Sequence, residues 1–374
     1  MLLSVCVLMK GDADCLRRIA ASVKSLADEL VVVCDEPVSE TFQSAAQACG
    51  ARLVPFRWQN DFSAARNAGL EAARGEWVFW TDSDETLIAP DPATFRELLG
   101  REDMLGYFVT IEDQIGATTR TPRQHPSLYR RRSELRYHGR IHEHFEPPLE
   151  IQAARLGMKV SASPVRLTHT GYELEIRPQK LSRNIALLEL ELADRPGQFY
   201  YLVELGRSLL LASQTRGHGV LKEAAEVLRP ALHQPEAPSP LAAALLEYAL
   251  AHALAGFPIA RQAAADAALR WFPTSPPLVW RAARWNYEQG KIAEAARLLE
   301  RVLEMGENRT YDTTVSFDQS VFGDETRLNF GVCCAKLGKL EEAMKQFDAI
   351  KPGSRFHAVA QQNLKLLRQA SPRP

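Results

Sequence analysis

The chain changes hydrophobic period repeatedly over residues 2–84, and this alternation limits its possible folds more than any other feature. LLSVCVLM (2–9), ELVVVCD (29–35), ARLVPFRW (51–58) and EWVFWTDSD (76–84) are short β-branched or aromatic runs. Between them CLRRIAASVKSLA (15–27), TFQSAAQACG (41–50) and DFSAARNAGLEAARG (61–75) place apolar residues at helical spacing. Asp61 or Ser63 can cap the third helix, and Gly75 can close it. Strand and helix in turn predict a parallel sheet covered on both faces, with ligands bound beyond the carboxyl ends of the strands. EWVFW arrives at such an end and runs straight into Asp82, Asp84 and Glu85. Acids so close together are costly in a core unless something cationic neutralises them, so they are expected at the crevice.

The pattern then changes twice. YFVTIED (107–113), SLYRRR (127–132) and VRLTHTGY (165–172) read as antiparallel strands joined by long loops. From about residue 178 the chain is Ala/Leu-rich and helical, with an internal repeat. Gly290 is followed at fixed offsets by Ala295 and Leu299, and Gly338 by Ala343 and Phe347. Small Ala283 and Gly331 precede those two glycines by seven. This resembles the tetratricopeptide repeat, in which small residues let paired helices approach. Weaker units run across 242–273 and around Gly206 and Ala225, and an insertion near 307–323 separates the last two. Expected domains are therefore 1–175, an α/β unit, and 176–374, a helical linker with all-α tetratricopeptide-type repeats.

At 374 residues the chain exceeds one ordinary core. A formal net charge of -1 gives no reason to expect nucleic acid or an acidic membrane as partner. The stretch 119–140 holds seven arginines against one acid, and reads as a solvated or phosphate-facing strand pair. The six cysteines form no CxxC or zinc spacing, which fits core thiols in a reducing compartment. MLLSVCVLMK lacks a basic leader and cleavage site, and no apolar run reaches membrane-spanning length, so a cytoplasmic chain is expected.

An Asp-x-Asp pair at a strand end can hold Mg²⁺ or Mn²⁺ through hard oxygens, commonly together with substrate phosphate. By itself Asp82-Ser83-Asp84 is equally a solvated loop. FRWQNDFSAARNAGL followed by EWVFWTDSDE is far more specific, and resembles the family-2 glycosyltransferases of the GT-A fold. RIHEH (140–144), HTGY (169–172) and KLSRNIALLELEL (180–192) extend the likeness to bacterial members that carry tetratricopeptide repeats, a group including peptide glycosyltransferases.

The resemblance implies a GT-A nucleotide-diphospho-sugar transferase-like domain and an inverting sugar transfer. A divalent cation and a nucleotide-sugar donor, by family habit a UDP-sugar, would be needed. Carried over by position, Asp84 would bind the cation, Asp82 the ribose or cation shell, and Arg66 and Asn67 would line the nucleotide pocket. Glu143 is the first candidate base and Asp113 the second, while His169 could complete the metal shell. His138, His142 and His144 lack a clear fourth ligand for zinc. Two stretches depart from the family. MKGDAD stands where an Asn-Glu pair is usual, and CDEPVSET (34–41) replaces Asp-x-Gly-Ser-x-Asp, leaving Asp35 as a shifted substitute. Because of these departures a second reading stays open: a degenerate transferase fold whose repeats act as a protein-binding scaffold. In the enzyme reading the same repeats would hold a peptide or protein acceptor.

Overall fold

The computed structural model describes residues 2–88, 91–113, 122–169, 178–252, 255–312 and 317–370. The chain divides into two compact units, one spanning Met1–Pro196 and the other Gly197–Asp312 with the residues from Phe317 onward.

In the first unit, strands β1 (Leu3–Met9), β2 (Glu29–Asp35), β3 (Ala51–Phe56) and β4 (Trp77–Asp82) alternate with helices α1 (Ala13–Val23), α2 (Glu40–Ala48) and α3 (Phe62–Ala72). Each of these helices starts on a side chain that accepts a backbone N–H: Asp12 from Cys15, Ser39 from Phe42 and Asp61 from Ala64. Asp61 is thus the cap of α3, and Ser63 turns elsewhere. There follow β5 (Glu85–Ile88), α4 (Pro92–Gly100), β6 (Met104–Asp113), β7 (Arg123–Arg130), β8 (Tyr137–His138), β9 (His144–Phe145), α5 (Leu149–Arg155), β10 (Lys159–His169) and α6 (Pro178–Asp194).

The main sheet runs β3-β2-β1-β4-β7-β6-β10-β5, and β8 and β9 form a separate small ladder. The first four strands are parallel, as the alternation predicts. The expected antiparallel set is only half correct. β7 is antiparallel to β4 and β6, but β10 lies parallel to β6. The reason is the crossover: β8, β9 and α5 carry the chain back to the starting end, and a parallel neighbour requires such a return.

Both faces of the parallel half are buried. Val31 and Val33 of β2 pack with Ala65, Leu70 and Trp80, while Val32 and Cys34 pack with Leu16, Ile19 and Phe42. Helix α3 lies very close to the sheet, because a Cβ on Gly69 would stand 2.8 Å from both Trp80 and Val33. That close approach aims Arg66, three residues earlier, past Trp80 toward the strand end.

The second unit is built of packed helix pairs: α7 (Phe199–Leu211) with α8 (Gly217–Leu228), α9 (Ala242–Ala251) with α10 (Arg261–Trp271), α11 (Pro276–Glu288) with α12 (Ile292–Asn308), and α13 (Asp324–Lys336) with α14 (Leu340–Asp348), followed by α15 (His357–Ala370). Gly290 and Gly338 end α11 and α13 with φ of +74° and +76°, the left-handed cap that favours glycine. Ala295 and Ala343 are fully buried, and a Cβ on Gly331 would come within 2.6 Å of the Phe347 ring. Within the expected insertion, a 3₁₀ turn at Gln319–Phe322 lays Phe322 against Gly306 of α12.

Candidate functional site

The acid cluster is a tight turn rather than a strand end running to solvent. Ser83 and Asp84 connect β4, in the middle of the sheet, to β5 at its edge. Above the turn lies a cavity of about 710 Å³, walled by the ends of β1, β2 and β4, by α3, by the loop around Glu143 and by the start of α6.

The three acids differ in what they face. The side chains of Asp82 and Asp84 are 54% and 35% exposed and both line the cavity. Glu85 is buried, and its Oε2 accepts from the Asp82 N–H at 2.9 Å and the Thr81 hydroxyl at 3.2 Å. Glu85 borders the cavity too, but it is buried and braces the turn, whereas Asp82 and Asp84 are the more exposed acids there.

Arg66 links the turn to the opposite wall. Its Nη2 donates to Asp82 Oδ1 at 3.0 Å and its Nε to Glu143 Oε1. The guanidinium lies 4.9 Å from the Trp80 ring centre and 5.6 Å from that of Tyr137. Burial would lower the Arg66 pKa, but Glu143 and Asp82 outweigh it and hold the group charged. Burial would raise the Glu143 pKa, but the Arg66 guanidinium outweighs it, so the carboxyl is held below its ordinary value.

Asn67 does not line the cavity. Its amide bonds both the N–H and the C=O of Tyr137, each at 2.9 Å, and so fastens α3 to β8. The sequence likeness put Arg66 and Asn67 together at a nucleotide pocket, but on a helix neighbouring residues point about 100° apart, and of the two only Arg66 faces this cavity. Asp35 and Cys34, at the end of β2, do line the cavity, whereas Glu36, Pro37 and Val38 of the altered loop do not. The side chains of Asp113 and His169 lie outside the described residues. Their backbone positions are fixed: they are register partners at the ends of β6 and β10, and His169 is also opposite Glu85 on β5.

The loop carrying Glu143 is held from two sides. Gly139 C=O accepts from the Ser63 hydroxyl at 2.6 Å, and Arg140 C=O from the Phe62 N–H at 2.9 Å. From α6, buried Glu191 accepts the Arg140 N–H at 2.7 Å, and Asp194 binds the Arg140 guanidinium. Helix α6, read from sequence as part of a linker, thus completes this site and belongs to the first compact unit.

Several cavity residues lie in stretches the sequence singled out but were given no role there. Lys180 stands 4.0 Å from Asp84, and Arg183 lies 5.0 Å over Phe62. His125 lines the cavity as an exposed residue of β7, and the protein around it first and Arg66 second lower its pKa to about 4. The basic stretch is mostly structural: Arg130 caps the Trp77 ring, Arg131 binds Gly75 C=O and Arg140 pairs with Asp194, while Arg123 alone of its described arginines lines the cavity.

Residues 4–156 match the family model for glycosyl transferase family 2. A TPR repeat-containing protein of Synechococcus elongatus is 32% identical over 235 residues, 62% of this chain and 56% of the relative. The SPbeta prophage-derived glycosyltransferase SunS of Bacillus subtilis is 24% identical over 216 residues, 55% of this chain and 48% of that protein. The chain thus spans about half the length of the curated relatives it matches. Among solved structures, S. aureus TarS 1-349 in complex with UDP-GlcNAc is 15% identical, with a TM-score of 0.39 over 78% of this chain and 92% of that one. The mannosyltransferase PcManGT of Pyrobaculum calidifontis, with GDP-Man and Mn²⁺, is 18% identical, with a TM-score of 0.35 over 71% of this chain and 86% of that one.

Proposed function

We propose that this chain, whose residues 4–156 belong to glycosyl transferase family 2, moves a sugar with inversion from a nucleotide-sugar donor to an acceptor in the cavity above the Asp82-Ser83-Asp84 turn. The observation that carries this is the division of labour among the acids. Buried Glu85 braces the turn through Oε2, Arg66 spans Asp82 and Glu143, and the more exposed Asp82 and Asp84 face the open volume.

The donor set fits a divalent cation shared with substrate. Among the described residues no three His, Cys, Asp or Glu side chains converge as a protein cage. Two carboxylates on one turn suit Mg²⁺ or Mn²⁺, which usually completes its shell with water and phosphate oxygens. His169, opposite Glu85 in register, is the proposed third ligand. When bound, the cation would offset the charge that develops on the departing nucleoside diphosphate. Arg66 would hold Asp82 in position, and Lys180 would add positive charge beside Asp84. Asp35 would meet the nucleoside end of the donor, with UDP the first choice of nucleotide.

Glu143 is proposed to take the acceptor proton, with Asp113 as the alternative. Glu143 is ionised, as a base must be, although Arg66 lowers its proton affinity. The acceptor is proposed to be a peptide, protein or glycan, with the helix pairs as the surface for a polypeptide; repeat arrays present extended faces of this kind.

The test is calorimetric titration of UDP and GDP, with Mn²⁺ and then with EDTA, on wild type and Asp84→Ala. Metal-dependent binding that disappears in the variant is expected. Absence of binding for both nucleotides would favour the scaffold reading, which the departure at 34–41 motivates. Glu143→Gln is expected to keep donor binding and lose turnover, measured as transfer or donor hydrolysis; equal loss of both would make Glu143 solely the partner of Arg66.

A further inference from the structure

Cys15 and Arg18, one turn apart on α1, converge on the backbone between the two cavity acids. Cys15 Sγ donates to Ser83 C=O at 2.8 Å, and Arg18 Nη2 donates to the same oxygen at 2.6 Å. Arg18 Nη2 is also 3.3 Å from Cys15 Sγ, so the two donors support each other. The start of α1 is fixed in turn, because Asp12 Oδ1 accepts the Cys15 N–H at 2.9 Å. On the opposite flank Glu85 accepts the Asp82 N–H. Ser83 C=O has two lone pairs and receives two donors, one of them charged, which is the stronger kind.

We propose that Cys15 and Arg18 are positioning residues that fix the Ser83 carbonyl and thereby the separation of Asp82 and Asp84 for a divalent cation bound with a nucleoside diphosphate. The proposal rests on the donor-site reading above. Its physical basis is that two neighbouring carboxylates repel, so an unrestrained turn opens and moves one of them out of range. Glu85 restrains the Asp82 side of the turn. The Ser83 carbonyl is the last backbone acceptor before Asp84, so a grip on it orients the peptide plane that leads into Asp84. This grip comes from the segment following MKGDAD, where the chain departs from the family pattern. Cys15 also lines the cavity, so its thiol is a direct reporter of the turn.

The experiment uses the full chain with Arg18→Ala, Cys15→Ala and Cys15→Ser. Calorimetry with UDP is run in Mn²⁺ and in EDTA. Arg18→Ala and Cys15→Ala are each expected to weaken Mn²⁺-dependent binding about tenfold, since each removes one hydrogen bond to a carbonyl whose position sets the metal ligands. Binding in EDTA should be unchanged, and Cys15→Ser should recover most of the loss because its hydroxyl can also donate. Variants that bind Mn²⁺ and UDP as wild type does, or that lose the metal-free binding equally, overturn the clamp. A second readout needs no nucleotide: the rate at which N-ethylmaleimide labels Cys15, followed by peptide mass spectrometry. Labelling is expected to slow several-fold in Arg18→Ala, because the guanidinium that donates to Sγ favours the thiolate that N-ethylmaleimide attacks. An unchanged rate also overturns the clamp. Failure of wild type to bind UDP or GDP would refute the donor site alone, and the labelling rate would then decide the clamp by itself.

Discussion

Replacing Arg66 by alanine should leave Glu143 largely buried without its guanidinium partner, and the cost can be sized from the geometry. The side chains of Arg66 and Glu143 are 14% and 13% exposed, so water screens the pair little. Removing one partner of such a pair costs about 3–5 kcal/mol. Asp82, at 54% exposure, loses under about 1 kcal/mol. A loss of about 4 kcal/mol at pH 7 is therefore expected, and Arg66→Ala with Glu143→Gln should recover a good part of it.

The pH dependence carries a sign. In the wild type the Glu143 pKa is lowered on folding, so its stabilising share is present above the unfolded value of about 4.3 and is lost as pH falls through the folded value. Without Arg66, burial, the largest influence, is opposed only by a backbone hydrogen bond and by neighbouring His142 and Arg183, and the folded pKa rises. Stability of the variant should then decline as pH rises from about 4.3 through that raised value. The gap between the two proteins should widen from pH ~4 to pH ~7. Native-state hydrogen exchange at the amides of β4 reads the first unit separately from the second, which global unfolding would blur. A gap below about 1 kcal/mol at pH 7, or parallel pH slopes, would refute the account of Arg66 as the charge that holds Glu143 in place.

Asn67→Ala should lower stability of the first unit by about 2 kcal/mol, since the Tyr137 N–H and C=O each lose a partner. Loss of nucleotide binding with unchanged stability would instead return Asn67 to the nucleotide pocket. In the second unit Gly331→Ala should destabilise by about 1–3 kcal/mol, because the new methyl meets the Phe347 ring. Local exchange at α13 and α14 is the measurement, and a neutral result would mean the helices can separate at no cost.

The N-terminal half of the sheet was legible because local chemistry and burial agree there. β2 is buried on both faces, so its sequence is a continuous β-branched run, and the caps of α1, α2 and α3 are short-range signals. The turn glycines Gly290 and Gly338 were legible for a similar reason, since a left-handed φ leaves a mark on a single residue. The short β5 was not, because four residues directly after an acid turn have no period to read.

The sequence by itself also determined which residue types occupy the candidate site: the Asp-x-Asp pair, Arg66 and Glu143 were recognisable by pattern and likeness. What each does was decided by tertiary structure. Glu85 looks like a third acid of the cluster, yet it turns inward to brace Asp82. Arg66 and Asn67 are adjacent, yet one faces the cavity and the other fastens a strand. Cys15 lies 68 residues from the carbonyl it grips, and Glu191 lies 51 from the N–H it holds. Such partnerships depend on which strand ends and helix starts the sheet order brings together. No window along the chain contains that order, because it is fixed by crossovers and by burial of two faces at once.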